Sequence, residues 1–348
     1  MEFTTDLLLV GIVVILSLWF TYTNGLQDGS SVTAGLIVCR VLSPVRAVIL
    51  VASCELAGAI FGGSAVASTV RSITSFPEKE NFLSVLAAGL TAAIGWNYLT
   101  KVLRMPSSST HALMGGFLGS LIASSGTRFL VWGNFDLFHP TGFAKILVSL
   151  FASPVVGFVV GYFMLNIILL MLTKATTAVN KWLKLSQTLT VGLLAFGHGA
   201  NDPQKTMGII LIALHSAGYY QGDDIPFWVR LATGVSIAVG VLSLAPGIVK
   251  RVGTGIYKLK VLHGFVTEAA AGAIVVLSSA SGCPVSTSQV ISSTVMGVGT
   301  GEHFKDVRWL VARDILISWF LTIPCAGLFA YVIYMFPFRY LDLLITKF

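Results

Sequence analysis

The chain has 348 residues, a formal net charge of +7 and only 11% charged residues, against roughly 25% in soluble domains, and its mean hydropathy is +0.84. That composition excludes a soluble globular protein, and the excess of positive charge then bears on orientation across a membrane, not on nucleic acid. The four cysteines, Cys39, Cys54, Cys283 and Cys325, are scattered without a C-x-x-C pair, so neither disulfides nor a structural metal site are expected.

Taken in chain order, the acidic start "MEFTTD" lacks the basic region of a cleavable signal. Apolar runs then predict membrane crossings over 7–27, 46–70, 82–104, 143–172, 188–215, 227–249, 261–280 and 309–335, each near the length of about 20 residues that spans a bilayer. Segments 106–125 and 283–300 are rich in Ser, Thr and Gly. They are too polar to face lipid and are read as re-entrant or broken elements buried in protein. No polar stretch is long enough to fold alone, so no soluble domain is expected. "TKATTAVNKWLKLS" and "KRVGTGIYKLK" are basic without an acid, whereas "YYQGDDIP" is acidic. Basic loops stay in the cytoplasm, which places 174–186 and 250–260 inside, 219–226 outside and both termini outside. The expectation is an all-α, multi-pass protein of the plasma membrane with some ten passages.

The two halves carry the same polar marks in the same order. "NGLQDG" aligns with "HGANDP", so that Gly25 faces Gly199, Gln27 faces Asn201 and Asp28 faces Asp202. "MPSSSTH" aligns with "CPVSTSQ", matching Pro106 to Pro284, and Pro154 aligns with Pro324. The offset stays between about 170 and 178 residues, which divides the chain into a first membrane repeat over 1–173, a basic cytoplasmic linker over 174–186 and a second repeat over 187–348. An odd number of passages per half makes the repeats inverted, the architecture of secondary transporters, whose site lies at the midplane where broken helices meet.

Each mark has its own chemistry. A carboxylate at mid-membrane costs several kcal/mol unless it meets a cation or a watery cavity. Asp28 and Asp202 each have amide neighbours, Asn24 and Gln27 for one, Asn201 for the other, and flanking glycines that let a helix unwind and free its carbonyls. Hard oxygen ligands of this kind suit Na⁺, and the same carboxylates can instead carry a proton. The plainer reading is a buried acid paired with Lys205 or Arg40. A proline followed by hydroxyls marks a helix start, and the N–H groups there form an anion site. Ser108, Ser109 and Thr110 on one side and Ser286, Thr287 and Ser288 on the other would wrap a tetrahedral oxyanion; the plainer reading is helix capping or packing. Lys205 follows Asp202 by three residues and either neutralises the site or pairs with the acid. Glu55 is a second ion ligand or a partner of Arg40, Arg71 or Lys101, and Glu268 is a further intramembrane acid that the repeat does not match to Glu55. His111 and His198 are placed to tune protonation or to pack.

On "GHGANDPQKTMGII", "TNGLQDGSSVTAG", "MPSSSTHALMGG" and "CPVSTSQVISS", the chain resembles the inorganic phosphate transporter family of Na⁺- or H⁺-coupled phosphate permeases over essentially its full length. The resemblance implies two inverted repeats with paired half-helix hairpins. Phosphate would then lie between the hairpin hydroxyls and the motifs of Gln27, Asp28, Asn201 and Asp202, with Na⁺ beside Asn24, Asp28, Asn201 and Asp202. There are departures: the first motif has Gln27 where the family has asparagine, with Ser30 and Ser31 beyond it, and the second hairpin has Gln289 where a histidine is common. The function expected is Na⁺-coupled import of inorganic phosphate by alternating access. The alternatives are H⁺ coupling and a sulfate or other oxyanion permease on the same scaffold. No organic cofactor and no nucleic-acid partner are expected, and a homo-oligomer is compatible with the sequence. An intramembrane Ser-His-Asp hydrolase fits poorly, because a catalytic set has no reason to be duplicated without its histidine, so the chain is not expected to be an enzyme. Paired acids also argue against an open anion pore.

Overall fold

A computed structural model describes every residue except Met1, 76–81, Arg104, Pro106, 137–138, 175, 177–178 and 339–348. Among the described residues twelve α-helices run as two successive sets of six. The first set is α1 (Glu2–Val38), α2 (Pro44–Phe61), α3 (Ala65–Arg71), α4 (Phe82–Val102), α5 (Ser109–Ser125) and α6 (Gly142–Met171). The second is α7 (Val179–Ser216), α8 (Phe227–Leu242), α9 (Pro246–Lys250), α10 (Val261–Ala280), α11 (Thr287–His303) and α12 (Trp309–Ile333). One long helix, a helix plus a short stub, a helical hairpin and a final long helix therefore recur in order.

The sets interlock. α1 packs on α8 as α2 packs on α7, α5 packs on α12 as α11 packs on α6, and α1 meets α4 as α7 meets α10. Each hairpin helix, α5 or α11, is thus clamped by the last long helix of the other set. Among the described residues six helical stretches are long and apolar enough to cross a membrane on their own, Asp6–Val38, Pro44–Phe61, Phe82–Val102, Gly142–Met171, Val261–Ala280 and Trp309–Phe336. The protein is an integral membrane protein. α7 carries polar residues at mid-length, where His198, Asn201, Asp202 and Lys205 are buried inside protein.

Several predicted boundaries move. The crossing over 7–27 continues to Val38. The crossing over 46–70 is two elements, because the chain turns at 62–64, where Gly63 takes φ +86°. The crossing over 227–249 bends by 70° between Leu242 and Pro246; proline disfavours a helical residue before it, and Leu244 takes φ +27° there. The basic stretch 174–186 is helical from Val179 onward, the start of α7.

A larger correction concerns the acidic motifs. The helices are not broken there: α1 runs through 24–29 and α7 runs through 197–208 with Pro203 inside it. The glycines serve close helix crossing instead. A Cβ on Gly25 would clash with the Ile237 carbonyl of α8, and one on Gly199 with the Glu55 carbonyl of α2. Small residues let backbones approach in this way, and the same residue type that permits unwinding permits contact. The hairpins hold as expected. α10 and α11 are joined by a short segment, and the N-cap residues of α5 and α11 have nearly the same backbone, Ser108 at φ −97°, ψ 111° and Ser286 at φ −99°, ψ 109°. Pro106 lies outside the described residues. Pro154 and Pro324 sit inside α6 and α12.

Candidate functional site

The centre is assembled from the middle of α1 and α7 and the first turns of α5 and α11. Spacing does the local work: residues three or four apart share a helix face, so Asn24 joins Asp28 on α1, and His198 and Lys205 flank Asp202 on α7. Asp28, His198, Asp202 and Lys205 are all buried. Burying these charges is tolerable only if each meets a partner.

Asp202 is fully supplied. One carboxylate oxygen accepts from Asn24 Nδ2 at 3.0 Å and lies 3.1 Å from His198 Nε2, while the other accepts from Lys205 Nζ at 2.6 Å. The far ring nitrogen of His198 lies 2.7 Å from Glu55 Oε1 on α2. A continuous chain Glu55–His198–Asp202–Lys205 results. Glu55 therefore belongs to His198 and not to Arg40, Arg71 or Lys101; Arg71 pairs with Asp223 at 3.0 Å instead. Lys205 also donates to Thr110 Oγ1 at 2.6 Å and to the Val285 carbonyl at 2.6 Å, so a single ammonium ties both hairpin tips to the acid.

Asp28 is supplied on one side only. Ser109 Oγ donates to Oδ2 at 2.5 Å, while Oδ1 is buried without a hydrogen-bond partner among the described residues. One ligand atom from each of Asp28, His198 and Asp202 lies within 4.8 Å of the others, close enough to share a cation.

The two hairpin tips meet directly. Ser108 caps α5 by accepting from His111 N at 3.1 Å, Ser288 Oγ donates to the Ser107 carbonyl at 3.1 Å, and Ser286 Oγ lies 3.3 Å from Ser288 Oγ. Thr287 Oγ1 is buried without a partner among the described residues. Gln289 Nε2 lies 3.1 Å from His111 Nδ1 and joins the first turns of α5 and α11. All six hydroxyl residues singled out in the sequence are buried around this contact.

Gln27 and Asn201 act as a matched pair of anchors. Gln27 donates to Thr100 Oγ1 at 2.8 Å and Ser107 Oγ at 3.1 Å, which pins the first hairpin to α1. Asn201 donates to Ser279 Oγ and the Cys283 carbonyl, both at 3.1 Å, and accepts from Val285 N at 3.2 Å, which pins the second to α7. The Asn201 side-chain oxygen thus faces the hairpin backbone. Sequence reasoning missed Thr100, Ser107 and Ser279, whose only signal is that each stands opposite an amide once the hairpins fold. It also missed Gln204, whose Oε1 accepts from Val66 N at 2.9 Å and Ala67 N at 3.3 Å and so satisfies donors that a helix start leaves orphaned. Glu268 is not brought to the centre; it accepts from Gln187 Nε2 at 3.2 Å beside a small separate cavity that also touches Ser31 and Gly35.

The two hairpin tips and the two aspartates of α1 and α7 are thus brought together around the buried Lys205. The phosphate transporter family model matches residues 24–330. The chain belongs to the phosphate transporter family. That span starts at Asn24 and covers every candidate residue above. Among relatives of this family member, the probable low-affinity inorganic phosphate transporter of Bacillus subtilis is 33% identical over 330 residues, 94% of this chain and 97% of that protein. The protein of the same description from Rhizobium meliloti is 34% identical over 329 residues, 94% and 96% of the two chains. A solved structure of a sodium-dependent phosphate transporter superposes with a TM-score of 0.83 at 23% identity, covering 94% of this chain and 98% of that one. The fold is therefore shared with that structure.

Proposed function

We propose that this phosphate transporter imports inorganic phosphate together with Na⁺ by alternating access, through two inverted repeats whose hairpins meet at the membrane midplane, with both termini outside. The observation that carries the reading is the half-supplied Asp28: a buried carboxylate oxygen without a protein donor stands within cation-sharing reach of Asp202 and His198. Asn24 lies beside the same carboxylates and completes an oxygen-rich set suited to a hard cation. Phosphate would take donors from the first turns of α5 and α11, where Ser108, Ser109, Thr110, Ser286, Thr287 and Ser288 gather. Lys205 is the link. Na⁺ arriving at Asp202 competes with the ammonium, and Lys205, already on Thr110 and the Val285 carbonyl, turns toward the anion. Cation and anion then enter as a neutralised pair, and loading favours the carrier form that can cross.

The chain Glu55–His198–Asp202 favours a second reading. Carboxylate, imidazole and carboxylate in direct contact can pass a proton, so H⁺ is the alternative coupling ion. Radiolabelled phosphate uptake into proteoliposomes, under an inward Na⁺ gradient, an inward H⁺ gradient or neither, separates the two. Uptake driven by Na⁺ and indifferent to excess cold sulfate is expected. Uptake driven by H⁺ alone would move the coupling to the Glu55–His198 chain, and strong block by sulfate would move the substrate to another oxyanion.

A further inference from the structure

A cavity of about 650 Å³ with a mixed polar and apolar lining lies between α3, the start of α6 and the turn after α10. Ser68 and Thr69 of α3, Ser72 just past its end, Thr141 and Lys145 at the start of α6, and Gly282 between α10 and α11 are among the residues that line it. Among the described residues Lys145 is the one charged side chain in that lining.

We propose that this cavity is a capture vestibule for inorganic phosphate, which takes Lys145 away from the Ser281 carbonyl and so loosens the segment 281–286 that leads to the central site. The proposal rests on the phosphate reading above.

The chemistry of the wall selects a small oxyanion. An ammonium has three donors, and Lys145 spends one on the Ser281 carbonyl at 3.0 Å. Thr141 Oγ1 accepts from Asn134 N at 2.9 Å, which leaves its hydroxyl proton to donate. Ser68 and Ser72 donate to the carbonyls of Ser64 and Thr69, at 3.1 and 2.8 Å, and a hydroxyl rotates from such a bond to a charged acceptor, which makes the stronger hydrogen bond. One cation and several hydroxyls give a small anion its donors, on a wall that also carries Ala65, Val131, Pro140 and Ala280.

The floor connects the vestibule to the centre. Thr69 Oγ1 donates to the Gly282 carbonyl at 2.7 Å. Gly282 takes φ +66°, and a Cβ there would sit 2.8 Å from the Ala65 carbonyl oxygen, so only glycine closes this seal without strain. From the seal the chain runs straight inward: the Cys283 carbonyl is held by Asn201 and the Val285 carbonyl by Lys205. The segment 281–286 is therefore gripped by two ammonium groups on backbone carbonyls, Lys145 at the cavity and Lys205 at the centre. An anion that competes for Lys145 releases the outer grip, and the same anion delivered to the centre competes for the inner one. Concentrating an anion in a positive cleft also raises its rate of arrival.

Cys283, half-buried on this segment, is a native reporter. The test is phosphate uptake into proteoliposomes together with labelling of Cys283 by a membrane-impermeant thiol reagent, with Cys283→Ser as the blank. Lys145→Gln is expected to raise the KM for phosphate about tenfold, in line with the loss of steering, with little change in maximal rate. Lys145→Arg is expected to stay near wild type. Ser68→Glu leaves Lys145 untouched, puts a like charge in the anion's path and should raise KM in the same direction. Phosphate should speed the labelling of Cys283 in the wild type but not in Lys145→Gln, where the outer grip is already gone. Unchanged KM in both Lys145→Gln and Ser68→Glu, with Cys283 labelling that phosphate does not speed in the wild type, overturns the vestibule and leaves the central site as read. A wild type that takes up no phosphate overturns the central reading, and Cys283 labelling then decides the vestibule alone: a phosphate-induced increase that depends on Lys145 supports it, and its absence overturns it.

Discussion

The two aspartate motifs occupy matched places on α1 and α7, yet their aspartates live in opposite circumstances. Asp202 holds donors on both oxygens, from Asn24, His198 and Lys205. Asp28 holds one donor, Ser109, and keeps its other oxygen unpaired among the described residues. The amides beside them remain equivalent, since Gln27 and Asn201 each anchor a hairpin. The matched positions thus share a scaffold and differ in electrostatics. One carboxylate balances the built-in ammonium, and the other keeps an oxygen without a partner among the described residues, the oxygen that the proposed function gives to a cation.

That contrast can be broken at its strongest point by removing the charge of Asp202. Asp202→Asn leaves Lys205 buried beside neutral partners, and breaking a buried ion pair costs about 3–5 kcal/mol; a large fall in Tm of the detergent-solubilised protein and loss of uptake are expected. The double variant Asp202→Asn, Lys205→Met should recover much of the Tm without recovering uptake. A single variant as stable as wild type would show that the ion pair does not hold the centre. Asp28→Asn should abolish cation-driven uptake while the Tm stays close to wild type, because the Ser109 contact needs only an oxygen acceptor. Full uptake in this variant would remove Asp28 from the cation site.

Smaller effects sharpen the scaffold side of the comparison. Gly25→Ala and Gly199→Ala each force a methyl group into a backbone carbonyl of the partner helix, and overpacking of this kind costs about 1–3 kcal/mol. The two should be alike in Tm, since the crossings α1 on α8 and α7 on α2 are counterparts; a large inequality would mean that the halves no longer share a scaffold. The smallest effect is expected at the hairpin contact. Gln289→His replaces one hydrogen-bonding ring or amide by another opposite His111, and uptake with a near-normal KM is the expected result. A marked loss would make the amide itself part of the anion site.

Much of this was legible beforehand. The hairpins could be read because Ser, Thr and Gly in a membrane chain must be buried, and because a proline before hydroxyls marks a helix start at both places. The pairing of Asp202 with Lys205 was legible from three-residue spacing. The continuity of α1 and α7 was not, since Gly25 and Gly199 serve unwinding and close packing equally well until the neighbour is known. Nor was the contact of Glu55 with His198, which are 143 residues apart on helices that meet only because α2 of one set packs on α7 of the other.

By itself, then, the sequence determined the membrane solvent, the twofold order of the elements and which polar residues had to find partners, because hydropathy and spacing act locally along the chain. Tertiary structure decided who the partners are. Lys205 could reach only what two hairpins brought within the length of its side chain, and Asp28 was left with one donor because the other half's cation had already been taken by Asp202.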